Sequence, residues 1–140
     1  MSEEGFSLRA RARSFRYAGA GLWALLVTQH NAWIHAVVTL GVCAAGLALR
    51  VGAGEWRWLV IAIAMVWSAE AFNTALESLA DAAKPEQHPL VQRAKDTAAA
   101  AVLIVAIGAA LIGLLVLGPP LLAALGWGPG TISAVTLANP

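Results

Sequence analysis

The chain has 140 residues, 59% of them hydrophobic and only 12% charged, with a formal net charge of +1. A charged share about half that of an ordinary soluble domain excludes disorder and points to a membrane protein or a very apolar bundle. The balanced charge offers no basic field for nucleic acid, and the single Cys43 excludes an intramolecular disulfide or a cysteine-built zinc site.

Residues 6–29, "FSLRARARSFRYAGAGLWALLVTQ", are basic first and apolar later. No A-x-A cleavage signal follows, and glycines interrupt the apolar part, which argues against a secretory leader. The segment reads as an amphipathic helix on the cytoplasmic face, with Arg9, Arg11, Arg13 and Arg16 near anionic headgroups.

Three stretches are long and apolar enough to cross a bilayer core of about 30 Å. They cover about 32–49, 56–79 and 97–117, joined by the tight "RVGAGE" and by the polar "DAAKPEQHPLVQRAKD". The third ends at "GPP", and residues 119–140 form an apolar tail expected to be irregular. All but Arg50 and Arg57 of the nine basic residues fall in the N-terminal segment or the second connection. The positive-inside rule therefore makes that side cytoplasmic, with the N-terminus inside. Trp56, Trp58 and Trp127 then line the outer interface and Trp23 and Trp33 the inner one, while Trp67 lies deeper without a belt role. The fold expected is all-α and multi-pass, three transmembrane helices plus a surface helix.

The second span carries "SAEAFNTALESLADAAK". At 100° per residue Glu70, Asn73, Glu77 and Asp81 share an arc of about 80°, a polar track from mid-membrane to the inner surface. Asn73 alone would serve as interhelical glue. Two carboxylates do not suit that role, because a charge at mid-bilayer costs about 3 kcal/mol or more. Burial suits Glu70 to act as a general base, and Glu77, nearer water, can stay ionised and hold a cation. Ser68, Thr74 and Ser78 lie elsewhere around the helix and need only back-bond to carbonyls.

"RAKD" places Lys95 and Asp96 at the mouth of the third span, in a helix starting near Pro89. They are either a solvated helix start with a snorkelling lysine or a pair able to hold a metal-bound phosphate. His30, His35 and His88 show no metal-ligand spacing. His88 lies in the loop within reach of a ligand, and His35 reads as a hydrogen-bonded packing residue. With no phosphate loop and no dinucleotide or esterase motif, the residues alone leave two functions open: phosphoryl transfer, or a proton- or ion-conducting subunit with Glu70 as its titrating carboxylate.

These blocks resemble the prokaryotic diacylglycerol kinase and undecaprenol kinase family of small membrane lipid kinases. "EAFNTALESLAD" matches that family's E-x-x-N-x-A-x-E-x-x-x-D pattern, and "AKDTAAAAVLI" its A-K-D-x-x-x-A-A-V-L-I, at the right separation. The short "SFRYAGAGL" also agrees, and the resemblance covers about residues 6–117, so that 1–118 forms the kinase domain and the tail lies beyond it. The resemblance implies ATP-dependent phosphorylation of a lipid hydroxyl with Mg²⁺, in a homotrimer of the bacterial inner membrane whose sites lie between subunits. It makes Glu70 the base, with Asn73 holding that carboxylate, and Glu77 a metal ligand. Lys95 and Asp96 would then contact the nucleotide phosphates, and Tyr17, Glu86 and His88 would line the nucleotide. Gln29 stands where the family often places a second metal-binding glutamate, which predicts weaker metal affinity, and Trp33 replaces a commonly basic residue. "NAWIH" and "HPLVQRAKD" look closer to the undecaprenol branch than to the diacylglycerol branch.

Overall fold

The computed structural model describes residues 7–83 and 88–127. Four helices are seen, α1 (Leu8–Thr28), α2 (His30–Ala48), α3 (Ala53–Ala83) and α4 (Pro89–Ala124). The last three are long and apolar enough to span a membrane. At 1.5 Å per residue, α3 runs about 46 Å and α4 about 54 Å, so both overshoot a core of about 30 Å. Both are therefore longer than an untilted crossing requires.

Each boundary has a local cause. Gln29, extended at φ −107° and ψ 119°, separates α1 from α2, and its side chain makes no capping hydrogen bond. α2 ends in a Schellman motif: Val51 N–H donates to Gly46 C=O at 3.0 Å and Arg50 N–H to Leu47 C=O at 3.1 Å. Arg50 takes the left-handed position at φ 52°. Directly beside this turn, Trp56 lies so close to Gly46 that a Cβ there would sit 2.8 Å from its Cζ2. Trp56 is therefore half-buried against α2 and is not simply a belt residue at the interface.

α4 begins with Pro89 at its first turn, capped by His88, whose Nδ1 accepts from Leu90 N–H at 3.2 Å. Its other end corrects the sequence expectation. Pro119 and Pro120 lie inside the helix, which continues to Ala124 instead of giving way to an irregular tail at "GPP". Proline removes a donor and crowds the preceding turn, but "LLAAL" beyond it is a strong helix former. The actual stop is a second Schellman motif, in which Trp127 N–H reaches Leu122 C=O at 2.9 Å and Gly126 takes φ +80°. Residues 128–140 lie outside the described residues, as does Phe6 at the start of the expected surface helix.

α3 and α4 pack along much of their length, and α2 lies against α3. α1 touches α2 and α3 but not α4 among the described residues. It docks through Leu25, while its basic first half is exposed. α3 is the hub, burying Leu59, Ala62, Glu70 and Asn73. The large apolar residues of the other faces, such as Leu40, Leu47, Leu114 and Leu115, are exposed on the single chain. Lipid tails are as apolar as leucine, so in a bilayer such faces carry no penalty.

Candidate functional site

The inward edge of α3 is built by helical spacing alone. Glu70 is 1% exposed and Asn73 7%, although carboxylates and amides are seldom so deeply buried. Three buried polar atoms on this edge lack a hydrogen-bond partner: Glu70 Oε2, Asn73 Oδ1 and Thr74 Oγ1. They belong to positions i, i+3 and i+4, hence to one turn and one face. Each such orphan costs about 1–3 kcal/mol, and their concentration in a single turn calls for a functional explanation. Thr74, set aside on sequence grounds as a back-bonding residue, belongs to this group. Ser78 does back-bond, its hydroxyl donating to Thr74 C=O at 2.8 Å.

One turn further on, Asn73 Nδ2 donates to Glu77 Oε1 at 3.2 Å. The amide expected to hold Glu70 therefore holds Glu77, the half-buried carboxylate nearer the α3–α4 connection. From the other side α2 presents His35, whose Nε2 lies 3.7 Å from Glu70 Oε2. The His35 ring stands edge-on to Trp67, with centroids 6.4 Å apart at 62°, and Trp67 Nε1 donates to Thr39 Oγ1 at 3.1 Å. Trp67, without a role in the sequence pattern, thus ties α3 to α2.

At the α3–α4 connection the polar groups are paired and more exposed. Lys95 Nζ donates to Asp81 Oδ1 at 2.6 Å, and Gln92 Nε2 to Asp96 Oδ1 at 2.8 Å. Lys95 stands before the apolar run of α4, and its pKa lies above the usual lysine value. The hydrogen bond to Asp81 raises it most, desolvation lowers it, and attraction to Asp81 and Glu77 raises it further. It stays a cation at neutral pH. Asp81 was seen on the polar track but not singled out as a site residue, although it is the group that meets Lys95.

Other expected site residues are more scattered. Tyr17 is exposed on α1, with the Arg16 guanidinium 5.7 Å from its ring centroid, and α1 does not reach α4. His88 serves as a helix cap, and Glu86 lies outside the described residues. Gln29 is half-buried at the α1–α2 break. Among the described residues no three His, Cys, Asp or Glu side chains converge to form a metal cage. Alongside the polar turn runs a cleft of about 450 Å³ between α3 and α4, walled by apolar residues such as Phe72, Leu76, Leu79 and Ala101, with Asn73 as its polar side chain.

A family model described as prokaryotic diacylglycerol kinase matches residues 16–117, which contain every element of this site. The chain belongs to the prokaryotic diacylglycerol kinase family. It is 36% identical over 109 residues to an undecaprenol kinase of Bacillus subtilis, covering 78% of this chain and 89% of that protein. It is 41% identical over 110 residues to a diacylglycerol kinase of Synechocystis, again over 78% of this chain but only 63% of that longer protein. No solved structure matches. As a member of this family the protein is a membrane lipid kinase, which decides for phosphoryl transfer over ion conduction.

Proposed function

We propose that this kinase transfers the γ-phosphate of ATP to the hydroxyl of a membrane lipid, undecaprenol or diacylglycerol, along the polar edge of α3. The observation that carries the reading is the turn Glu70–Asn73–Thr74, buried at the level of the apolar cleft with three polar atoms lacking partners. An alkyl chain in the cleft would bring a hydroxyl to that turn. Glu70 takes the hydroxyl proton as the oxygen attacks the γ-phosphorus; the new O–P bond forms, the bond to the bridging oxygen breaks, and ADP leaves.

The donor set fits Mg²⁺. This ion keeps several waters and takes one or two carboxylates together with substrate phosphates, so a closed protein cage is not needed. Glu77, aimed by Asn73, would hold it, with the Gln29 amide oxygen as a second and uncharged donor. Bound there, Mg²⁺ would neutralise charge on the transferring phosphate. Lys95 and Asp96 would contact the phosphates, and Tyr17, Glu86 and His88 would line the nucleotide.

The clustering of basic residues supports a cytoplasmic N-terminus in the bacterial inner membrane, with the α3–α4 connection on the same side. Among the described residues, α1 makes no contact with α4 within one chain. In a homotrimer with sites between subunits, as the family resemblance implies, Tyr17 of one copy and Lys95 of another would flank one nucleotide. "NAWIH" and "HPLVQRAKD", together with the relative matched over most of its length, favour undecaprenol.

Purified protein in mixed micelles with labelled ATP tests the reaction and the substrate together. Label should pass to lipid only when Mg²⁺ and a lipid alcohol are both present, and to undecaprenol more than to diacylglycerol. Failure to label either alcohol, in protein that remains folded, would sink the reading. Gln29→Glu should lower the Mg²⁺ concentration needed for half-maximal activity. An unchanged Mg²⁺ dependence removes Gln29 from the ligand set.

A further inference from the structure

The α2 side of Glu70 has no role in the reading so far, yet polar and aromatic contacts between α2 and α3 gather there. Glu70 Oε2 is buried and unpartnered, and it faces His35 Nε2 at 3.7 Å, just beyond hydrogen-bond reach. The imidazole is itself largely enclosed, its side chain 16% exposed. Trp67 precedes Glu70 by one turn on α3 and packs edge-on against the His35 ring. Thr39 follows His35 by one turn on α2 and accepts the Trp67 indole N–H. Two residues one turn apart on each helix therefore interlock, and Trp67 limits how far the imidazole can swing away from the carboxylate.

From this geometry we infer that His35 is a positioning residue for Glu70, and that Thr39 and Trp67 hold His35 in place. The inference rests on Glu70 being the base. A neutral imidazole carrying its proton on Nε2 donates to Glu70 Oε2 once the two groups close by less than about 1 Å, and catalytic hydrogen bonds often tighten in this way when substrate binds. That bond occupies Oε2 and fixes the carboxylate rotamer, so Oε1 is presented to the lipid hydroxyl. His35 takes no part in the bond changes: the proton passes from the hydroxyl to Glu70 and stays there until product leaves. A general base is efficient only when held within hydrogen-bond reach of the proton it removes, and small misplacements cost rate out of proportion to their size. Without His35, Glu70 would rotate among several orientations in a buried site.

The test compares wild type, Glu70→Gln, His35→Leu, His35→Gln and Trp67→Phe, assayed in mixed micelles with Mg-ATP and lipid alcohol. Thermal unfolding in detergent is followed for each. His35→Leu should lower kcat by about tenfold or more while leaving KM for ATP within about twofold, because Glu77 lies two turns beyond Glu70 on α3 and His35 is not among the proposed nucleotide contacts. His35→Gln keeps an N–H of similar reach and should recover most of the lost kcat. Trp67→Phe keeps a ring but loses the donor to Thr39, and should lower kcat by a smaller factor at unchanged KM.

Wild-type turnover in a folded His35→Leu protein overturns the inference. So does an equal fall in both His35 variants that tracks a lower unfolding temperature, since that marks a packing role. If His35→Leu fails to fold, Trp67→Phe and His35→Gln decide: wild-type turnover in Trp67→Phe, or no activity in a folded His35→Gln, counts against it. Wild-type turnover in Glu70→Gln removes the base assignment and the inference together, whereas an inactive Glu70→Gln beside a fully active His35→Leu removes only the inference.

Discussion

The two halves of α3 belong to one continuous helix, yet they are built to opposite rules. The half next to the α2–α3 turn is closed: Trp56 packs on Gly46, Leu59 and Ala62 are buried, and a Schellman motif satisfies the end of α2. The half next to the α3–α4 connection leaves Glu70, Asn73 and Thr74 with unpartnered buried atoms. Close packing stabilises the first half, whereas the second holds polar atoms that are unpaired in the single chain and free to meet a ligand or a neighbouring donor. Substitutions in the open half should therefore remove activity and spare the fold, and those in the closed half the reverse.

The sharpest break is Glu70→Gln. The variant is nearly isosteric and removes a buried ionisable group, so assembly by size-exclusion chromatography should be unchanged. Loss of a general base should lower kcat by about 10²–10⁴-fold. If the variant instead fails to assemble, the polar turn is interhelical glue, and the contrast between the two halves disappears.

Gly46→Ala probes the closed half. The added methyl would meet Trp56 at 2.8 Å and Val51 Cγ2 at 3.2 Å. Both belong to the packed turn, so relief requires α2 and α3 to move apart. We expect a loss of about 1–3 kcal/mol in detergent unfolding, with kcat per folded molecule unchanged. Wild-type stability would show that the turn is more pliable than its contacts imply.

Lys95→Met tests the paired groups beyond the open half. KM for ATP should rise about tenfold through loss of a charge-assisted contact, with little change in unfolding temperature because the Asp81 pair is solvated. A large fall in stability with unchanged KM would make Lys95 a structural tie to Asp81 and not a phosphate contact.

How much of this was legible in sequence follows from which interactions stay within one helix. The polar edge of α3 was readable because Glu70, Asn73, Glu77 and Asp81 obey helical spacing. Partnerships across helices were harder, although a clue was present. In an antiparallel hairpin, residues equally far from the turn lie at similar depth, and His35 and Glu70 are nearly equidistant from Gly52, as Asp81 and Lys95 are from His88. Depth says that such residues can meet, not that their side chains turn toward each other. The end of α4 was misread because a proline pair only biases against helix, and the following leucines and alanines outweighed it.

The smallest effect expected is at the closed half's own weak point. Arg50 takes φ 52° to let the Schellman bonds of α2 form. A side chain in that region costs about 1–2 kcal/mol, whereas glycine adopts it freely but brings about 0.5–1 kcal/mol of extra unfolded-state entropy. The two terms have opposite signs and similar size, so Arg50→Gly should raise stability by only about 0.5 kcal/mol, a small upward shift in unfolding temperature at constant kcat. A fall in stability would mean that the Arg50 side chain contributes more than its backbone costs, as an anchor at the interface would. The tightness of the α2–α3 turn would then rest partly on the membrane surface, and the contrast within α3 would hold only in a bilayer.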